Sequence, residues 1–93
     1  DLVISVDYGT DLQLAKTTLE NILKSIPEVL PEPEAAVFIN NLATSSIDFT
    51  VRPFTKNEHY WKVKSDVLEK TKKTFDDLGI EIPYPHQVEI HKE

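Results

Sequence analysis

Residues 79–90 read GIEIPYPHQVEI. Apolar and polar residues alternate here as in a strand, with Ile80, Ile82 and Tyr84 followed by Val88 and Ile90. Pro83 and Pro85 interrupt the alternation, and each lacks the N–H that an interior ladder position must donate. One continuous interior strand is therefore excluded. The stretch is either a broken edge strand or two short strands serving two different sheets, and the residues before it decide which.

Upstream, Tyr60, Val63, Val67, Thr71, Phe75 and Leu78 recur at helical spacing and form a candidate core face. Thr55 with Glu58, or Asn57 alone, suits the start of this helix, and Gly79 suits its left-handed end. Lys64 falls beside the apolar face, where its stem can lie on the core margin. Before the helix, Ile47, Phe49 and Val51 alternate with Asp48, Thr50 and Arg52 until Pro53 ends the run. Ala36, Phe38 and Leu42 alternate with Val37 and Ile39, and the short polar joint ATSS makes the two runs a hairpin. The segment PEVLPEPEA ahead of them holds three prolines and three glutamates, a stiff solvated connection.

Leu12, Ala15, Leu19, Ile22, Leu23 and Ile26 give a first amphipathic helix that stops at Pro27. Thr10 with Gln13 reads as its capping box, with Asp11 in the first turn where the helix end is positive. The opening LVISVDYGT places Leu2, Ile4, Val6 and Tyr8 on one strand face and Val3, Ser5 and Asp7 on the other. The predicted fold class is α+β, a ferredoxin-like βαββαβ with an antiparallel sheet, two helices on one face and a C-terminal tail strand. Residues 1–85 form the domain and residues 86–93 the tail.

Ninety-three residues suit one small domain, and 40 % hydrophobic with 28 % charged residues is ordinary for a globular one. The net charge of −6, with lysines spread among the acids, argues against nucleic acid and anionic lipid as partners. With no cysteine there is no disulfide framework and no thiolate metal site. The chain contains no methionine and opens inside a strand, which reads as a piece of a longer protein.

No constellation carries chemistry. His86 and His91 are five apart, so in an extended chain they point to opposite faces, and His59 is on the far side of a helix. Ser45 and Ser46 sit in the hairpin without a glycine-framed elbow, as turn residues. Gly9 and Gly79 are the only glycines, so no phosphate cradle exists. Asp76 and Asp77 lie near a helix C-terminus and read as a solvated face. No catalytic residue, cofactor site or metal site is expected, and the chain reads as a non-enzyme. The element order is also that of RNA-recognition motifs. The open sheet face would display Asp7, Ser5, Asp48, Thr50 and Arg52, which makes a poor stacking platform. Trp61, Leu68 and Phe75 recur every seven residues beside the core face, either as a lid on the core or as aromatic anchors of an interface.

The run VRPFTKNEHYWKVKSDVLEKTKKTFDDLGIEIPYPHQ resembles the C-terminal cytoplasmic domain of the small-conductance mechanosensitive channel family. The shared features are the strand ending near Arg52, the aromatic Phe54, Lys56, the Tyr60–Trp61 pair opening a helix, and Gly79-Ile80-x-Ile82-Pro83-aromatic-Pro85 closing it. VDYGTDLQLAKTTLENIL is similar to the first strand and helix of the same domain, so the likeness spans nearly the whole chain. His86 departs from it, standing where the family usually has glutamine directly after Pro85. The resemblance implies that Gly79–Ile82 joins the home sheet while the Pro-aromatic-Pro turn sends Val88–His91 into a barrel shared around the symmetry axis. It also implies a homoheptamer and a place on the cytoplasmic side of the inner membrane. The pore would lie in transmembrane helices outside these residues, and the channel would release ions and small osmolytes on hypoosmotic shock. Candidate subunit-interface residues are Trp61, Leu68, Pro83, Tyr84, Pro85, Val88 and Ile90. The alternative is a free-standing ferredoxin-like small-ligand-sensing or oligomerisation module, which would show polar groups converging on an apolar pocket.

Overall fold

The computed structural model describes residues 2–83. Strand β1 (Leu2–Asp7) is followed by helix α1 (Leu12–Lys24), strands β2 (Ala36–Leu42) and β3 (Ser46–Arg52), a 3₁₀ turn at Asn57–His59 and helix α2 (Tyr60–Leu78). The sheet is antiparallel with order β1-β3-β2, so β3, the last strand in sequence among the described residues, lies in the middle. This is the α+β arrangement expected, an antiparallel sheet with two helices.

Alternation sets the core. Ile4 and Val6 of β1 are buried, as are Ile47, Phe49 and Val51 of β3, with Phe49 facing Ile4 on one side and Ile39 on the other. Ala15, Leu19, Ile22 and Leu23 of α1 close on this face together with Val63, Val67 and Phe75 of α2. The central position of β3 follows from its pattern, three consecutive inward apolar residues with no break.

Strand β2 departs from simple alternation. Ile39 pairs with Phe49 and Asn41 with Asp48, so Asn40 is the extra residue of a bulge. A one-residue insertion flips parity. Phe38 therefore shares a face with Thr50, whereas Leu42, opposite Ile47, returns to the helix-covered face with Val37 and Ile39. Ala36, Phe38 and Leu42, grouped together by sequence, are divided by the bulge.

The helix ends differ in detail from expectation. Asp11, not Thr10, caps α1: its carboxylate accepts the Leu14 N–H at 3.1 Å. Replacing Asp11 with alanine is expected to cost about 1 kcal/mol, and Thr10→Ala distinctly less, in urea unfolding. Helix α1 closes at Ser25, whose hydroxyl donates to the Ile22 carbonyl at 2.7 Å, two residues before Pro27. Neither Thr55 nor Asn57 caps α2, which grows out of the 3₁₀ turn with no side-chain bond at its start. At the other end Gly79 takes φ 74°, the left-handed cap expected of it. Tyr60 and Leu78, expected in the core, are 44 % and 47 % exposed at the two ends of α2.

Thr71 is 2 % exposed, and its hydroxyl finds no hydrogen-bond partner. A buried hydroxyl without a partner costs about 1–3 kcal/mol, so the near-isosteric Thr71→Val is expected to stabilise the domain by roughly 1 kcal/mol. The readout is a higher urea midpoint at unchanged slope.

Gly79–Ile82, expected as a fourth strand, lies alongside β1 without forming a ladder. Ile80 is buried and Ile82 packs on the core, but the main chain contributes one bond to β1, the Asp7 N–H donating to the Glu81 carbonyl at 2.9 Å. Continuing that pairing in the antiparallel sense would set Pro83 opposite Ser5, and proline has no N–H to give. The tail strand at 86–93 falls outside the described residues.

Candidate functional site

Trp61 opens the first turn of α2 and is 71 % exposed, which removes the reading of it as a core lid. Tyr60 stands edge-on to it at 5.0 Å between ring centroids, and the Lys64 ammonium lies 5.3 Å from the indole centroid. Both contacts hold the indole in place while leaving its outer face open. Leu68, two turns further on, is also exposed, whereas Phe75, the third member of the seven-residue series, is wholly buried. Of the other candidate interface residues, Pro83 is half-buried at the end of the described chain. Tyr84, Pro85, Val88 and Ile90 lie outside the described residues.

The far edge of the sheet carries a second set that the sequence reading did not single out. Ile39 and Leu42 of β2 are 43 % and 59 % exposed, although their pairing partners Phe49 and Ile47 are buried. An inward-facing leucine at an uncovered strand edge is invisible without the bulge that turns it there. On the opposite sheet face Val3, Thr50 and Phe38 stand in one row, and the Arg52 guanidinium lies 5.5 Å above the Phe38 ring. Beside them Ser5 donates to Asp48 at 2.7 Å. One aromatic among carboxylates keeps this face unlike a nucleic-acid platform.

The Lys62 ammonium donates to Asp66 at 2.7 Å and to Glu28 at 3.3 Å, tying the proline-rich segment to α2. The Asp66 bond and, after it, the Glu28 bond hold this lysine above its ordinary pKa. Leu30 N–H donates to the Phe54 carbonyl at 2.7 Å and fastens the same segment from its other side. Between this segment and α1 lies a groove of about 720 Å³ lined by Leu23, Val29, Leu30, Glu20, Glu32 and Glu34 among others. Among the described residues no group of His, Asp and Glu is arranged to hold a metal ion. Ser46 lies 3.5 Å from Asp48, a carboxylate that Ser5 already occupies, and Ser45 gives its carbonyl to the Tyr8 N–H. No helix of the described residues is long and apolar enough to cross a membrane.

Residues 1–82 match the family model described as the C-terminal region of the mechanosensitive ion channel MscS. An uncharacterised MscS family protein of Synechocystis is 35 % identical over 91 residues, which is 98 % of this chain and 30 % of that protein. The small-conductance mechanosensitive channel of Edwardsiella ictaluri is 30 % identical over 91 residues, 98 % of this chain and 32 % of that protein. The crystal structure of Helicobacter pylori MscS in its closed state superposes with a TM-score of 0.82 at 28 % identity, over 89 % of this chain and 33 % of that one. The chain thus spans about a third of the length of the relatives it matches. The family is one of membrane channels and not a class of enzymes. With the family model matching residues 1–82, the chain belongs to the MscS family of mechanosensitive ion channels.

Proposed function

We propose that the chain is a non-catalytic vestibule and assembly domain on the cytoplasmic side of a tension-gated channel. In this reading several copies, seven by the family resemblance, surround one axis, and the channel releases ions and small osmolytes when the cell swells. Residues 1–85 supply the globular wall and residues 86–93 a strand for a barrel shared between copies. Tension acts on membrane segments elsewhere in the protein; the domain holds the copies in register and frames the route by which solutes reach the pore. The observation that carries the reading is the match of residues 1–82 to the channel's C-terminal region. The exposed Trp61, Leu68 and their neighbours supply interface anchors of the type that assembly requires.

The test uses the full-length protein in cells stripped of other mechanosensitive channels. Expression is expected to restore survival of hypoosmotic downshock and to give tension-activated currents in excised patches. Absence of both would sink the channel reading. Deleting Val88–Glu93 is expected to weaken the assembly of the full-length protein in detergent while leaving this domain's own fold intact, and barely to change the unfolding midpoint of the 93-residue chain on its own. So short a strand buries too little to offset the roughly 1–2 kcal/mol of backbone entropy per ordered residue unless neighbours close around it. A midpoint lowered by the deletion would instead make the tail an integral part of the domain.

A further inference from the structure

The groove between α1 and the proline-rich segment has a volume of about 720 Å³, within the roughly 300–1,000 Å³ of small-molecule sites. Its lining divides into two chemistries. Leu23, Val29 and Leu30 supply apolar surface, while Glu20, Glu32 and Glu34 set three carboxylates against the single ammonium of Lys24. Leu23 belongs to the buried core and Val29 packs against it, so the apolar part is continuous with the interior.

The groove is held in shape before anything enters it. Glu28 is tied to Lys62, Leu30 is tied through its main chain to Phe54, and from Ala36 onward the chain is a strand of the sheet. Between those anchors Pro31 and Pro33 each have a fixed φ. A site already formed loses little binding energy to ordering the chain around its ligand.

The carboxylates define the charge of the occupant. Among the described residues Glu28, Asp66 and Asp76 each lie against a lysine, whereas Glu20, Glu32 and Glu34 make no ion pair. Like charges around one groove repel one another, and a bound cation removes that repulsion. The three are not gathered on one point, since no group of acidic residues and histidines among the described residues is arranged to hold a metal ion. Separate cationic centres on one molecule meet them better than a single ion. None of the described lining residues is aromatic, so a quaternary ammonium, which is caught on ring faces, finds no cage. Ammonium groups that carry N–H donate charge-assisted hydrogen bonds to carboxylates, and methylenes between them suit the leucines and the valine.

We propose that this groove binds a linear aliphatic polyamine, its ammonium groups on the glutamates and its methylenes against Leu23, Val29 and Leu30. All the lining residues belong to one copy, so the site goes beyond the assembly reading and does not depend on it.

The test is calorimetric titration of the full-length protein in neutral detergent with spermidine. The parent is expected to bind one molecule per chain, and Glu20→Gln with Glu34→Gln to weaken binding about tenfold or more. Glu69→Gln with Asp77→Asn removes the same charge from exposed positions of α2 and is expected to stay within about twofold of the parent. Should Glu20→Gln disturb α1, Glu32→Gln with Glu34→Gln, at two exposed positions, carries the same expectation. Hexaamminecobalt(III) has the charge of spermidine and N–H donors but no methylenes, and is expected to bind about tenfold more weakly or worse. Equal binding of the cobalt complex would leave charge alone as the cause and overturn the proposal. So would groove variants that bind spermidine as the parent does, or a parent without saturable binding. A short peptide alternating lysine and leucine that displaces spermidine at about a tenfold lower concentration would make the groove a protein-docking site and overturn the polyamine assignment. The channel reading stands or falls separately, on downshock survival and patch currents.

Discussion

Truncating Phe49 to alanine is expected to destabilise the domain by about 3–5 kcal/mol, seen as a lower urea midpoint with the slope unchanged. Phe49 is wholly buried at the centre of the central strand, flanked by Ile47 and Val51 along β3 and faced by Ile4 and Ile39 across it. A gap there is enclosed by strands on two sides and by the helical layer above, so its walls have little freedom to collapse inward. The loss therefore includes both the transfer of the ring to water and the remaining cavity. Small domains are stable by about 5–15 kcal/mol in all, and a loss of this size brings the fold close to its limit. A change under about 1 kcal/mol would place Phe49 outside the core and shift the whole strand by one residue.

Two aspartates on one strand are expected to behave in opposite ways. Val6 is fully buried, and Val6→Asp sets a carboxylate among Ile47, Ala15 and other apolar side chains of the core. Val3 is 58 % exposed on the other face, so Val3→Asp is expected to stay within about 1 kcal/mol of the parent. The Val6→Asp variant is expected to be largely unfolded at neutral pH by circular dichroism. Its pH dependence has a definite sign. Burial raises the folded-state pKa of the new carboxyl above its unfolded value of about 3.9. The destabilisation therefore begins near that unfolded value, grows as pH rises through the folded one, and is constant above it. Acidification toward pH 4 should recover part of the structure in Val6→Asp relative to the parent under the same conditions. Equal loss in both variants would mean that β1 is not half-buried.

The sequence made the central elements legible because their patterns are uninterrupted. Alternation in β1 and β3 placed Ile4, Val6, Phe49 and Val51 inward, and helical spacing did the same for Leu19, Ile22, Val67 and Phe75. Gly79 announced the end of α2 because a left-handed residue is nearly always glycine. Misreadings gathered where a pattern depends on what surrounds it. Tyr60 and Leu78 continue the apolar stripe of α2, but periodicity does not tell where the sheet beneath a helix stops. The bulge at Asn40 contains no glycine to signal it, so the second apolar surface stayed hidden. Thr10 and Asp11 are both good caps, and only the path of the turn selects the carboxylate. Of the candidate interface, Trp61 and Leu68 were visible as a margin on a helix, but whether such a margin is lid or anchor depends on exposure, a property of the folded layer.

The middle place of β3 in the sheet also sets the order in which the domain can assemble itself in time. Its partner β2 is a hairpin neighbour, and pairs such as Leu42 with Ile47 close within microseconds, roughly 1–10 for a hairpin. Its other partner, β1, must return across roughly 40–50 residues, a search whose entropic cost is met before any contact rewards it. Until that return is complete, the inner face of the hairpin is bare at Ile47, Phe49 and Val51, with Leu42 at its rim. The interval before β1 closes on the hairpin is therefore the one in which neighbouring copies are most able to exchange strands.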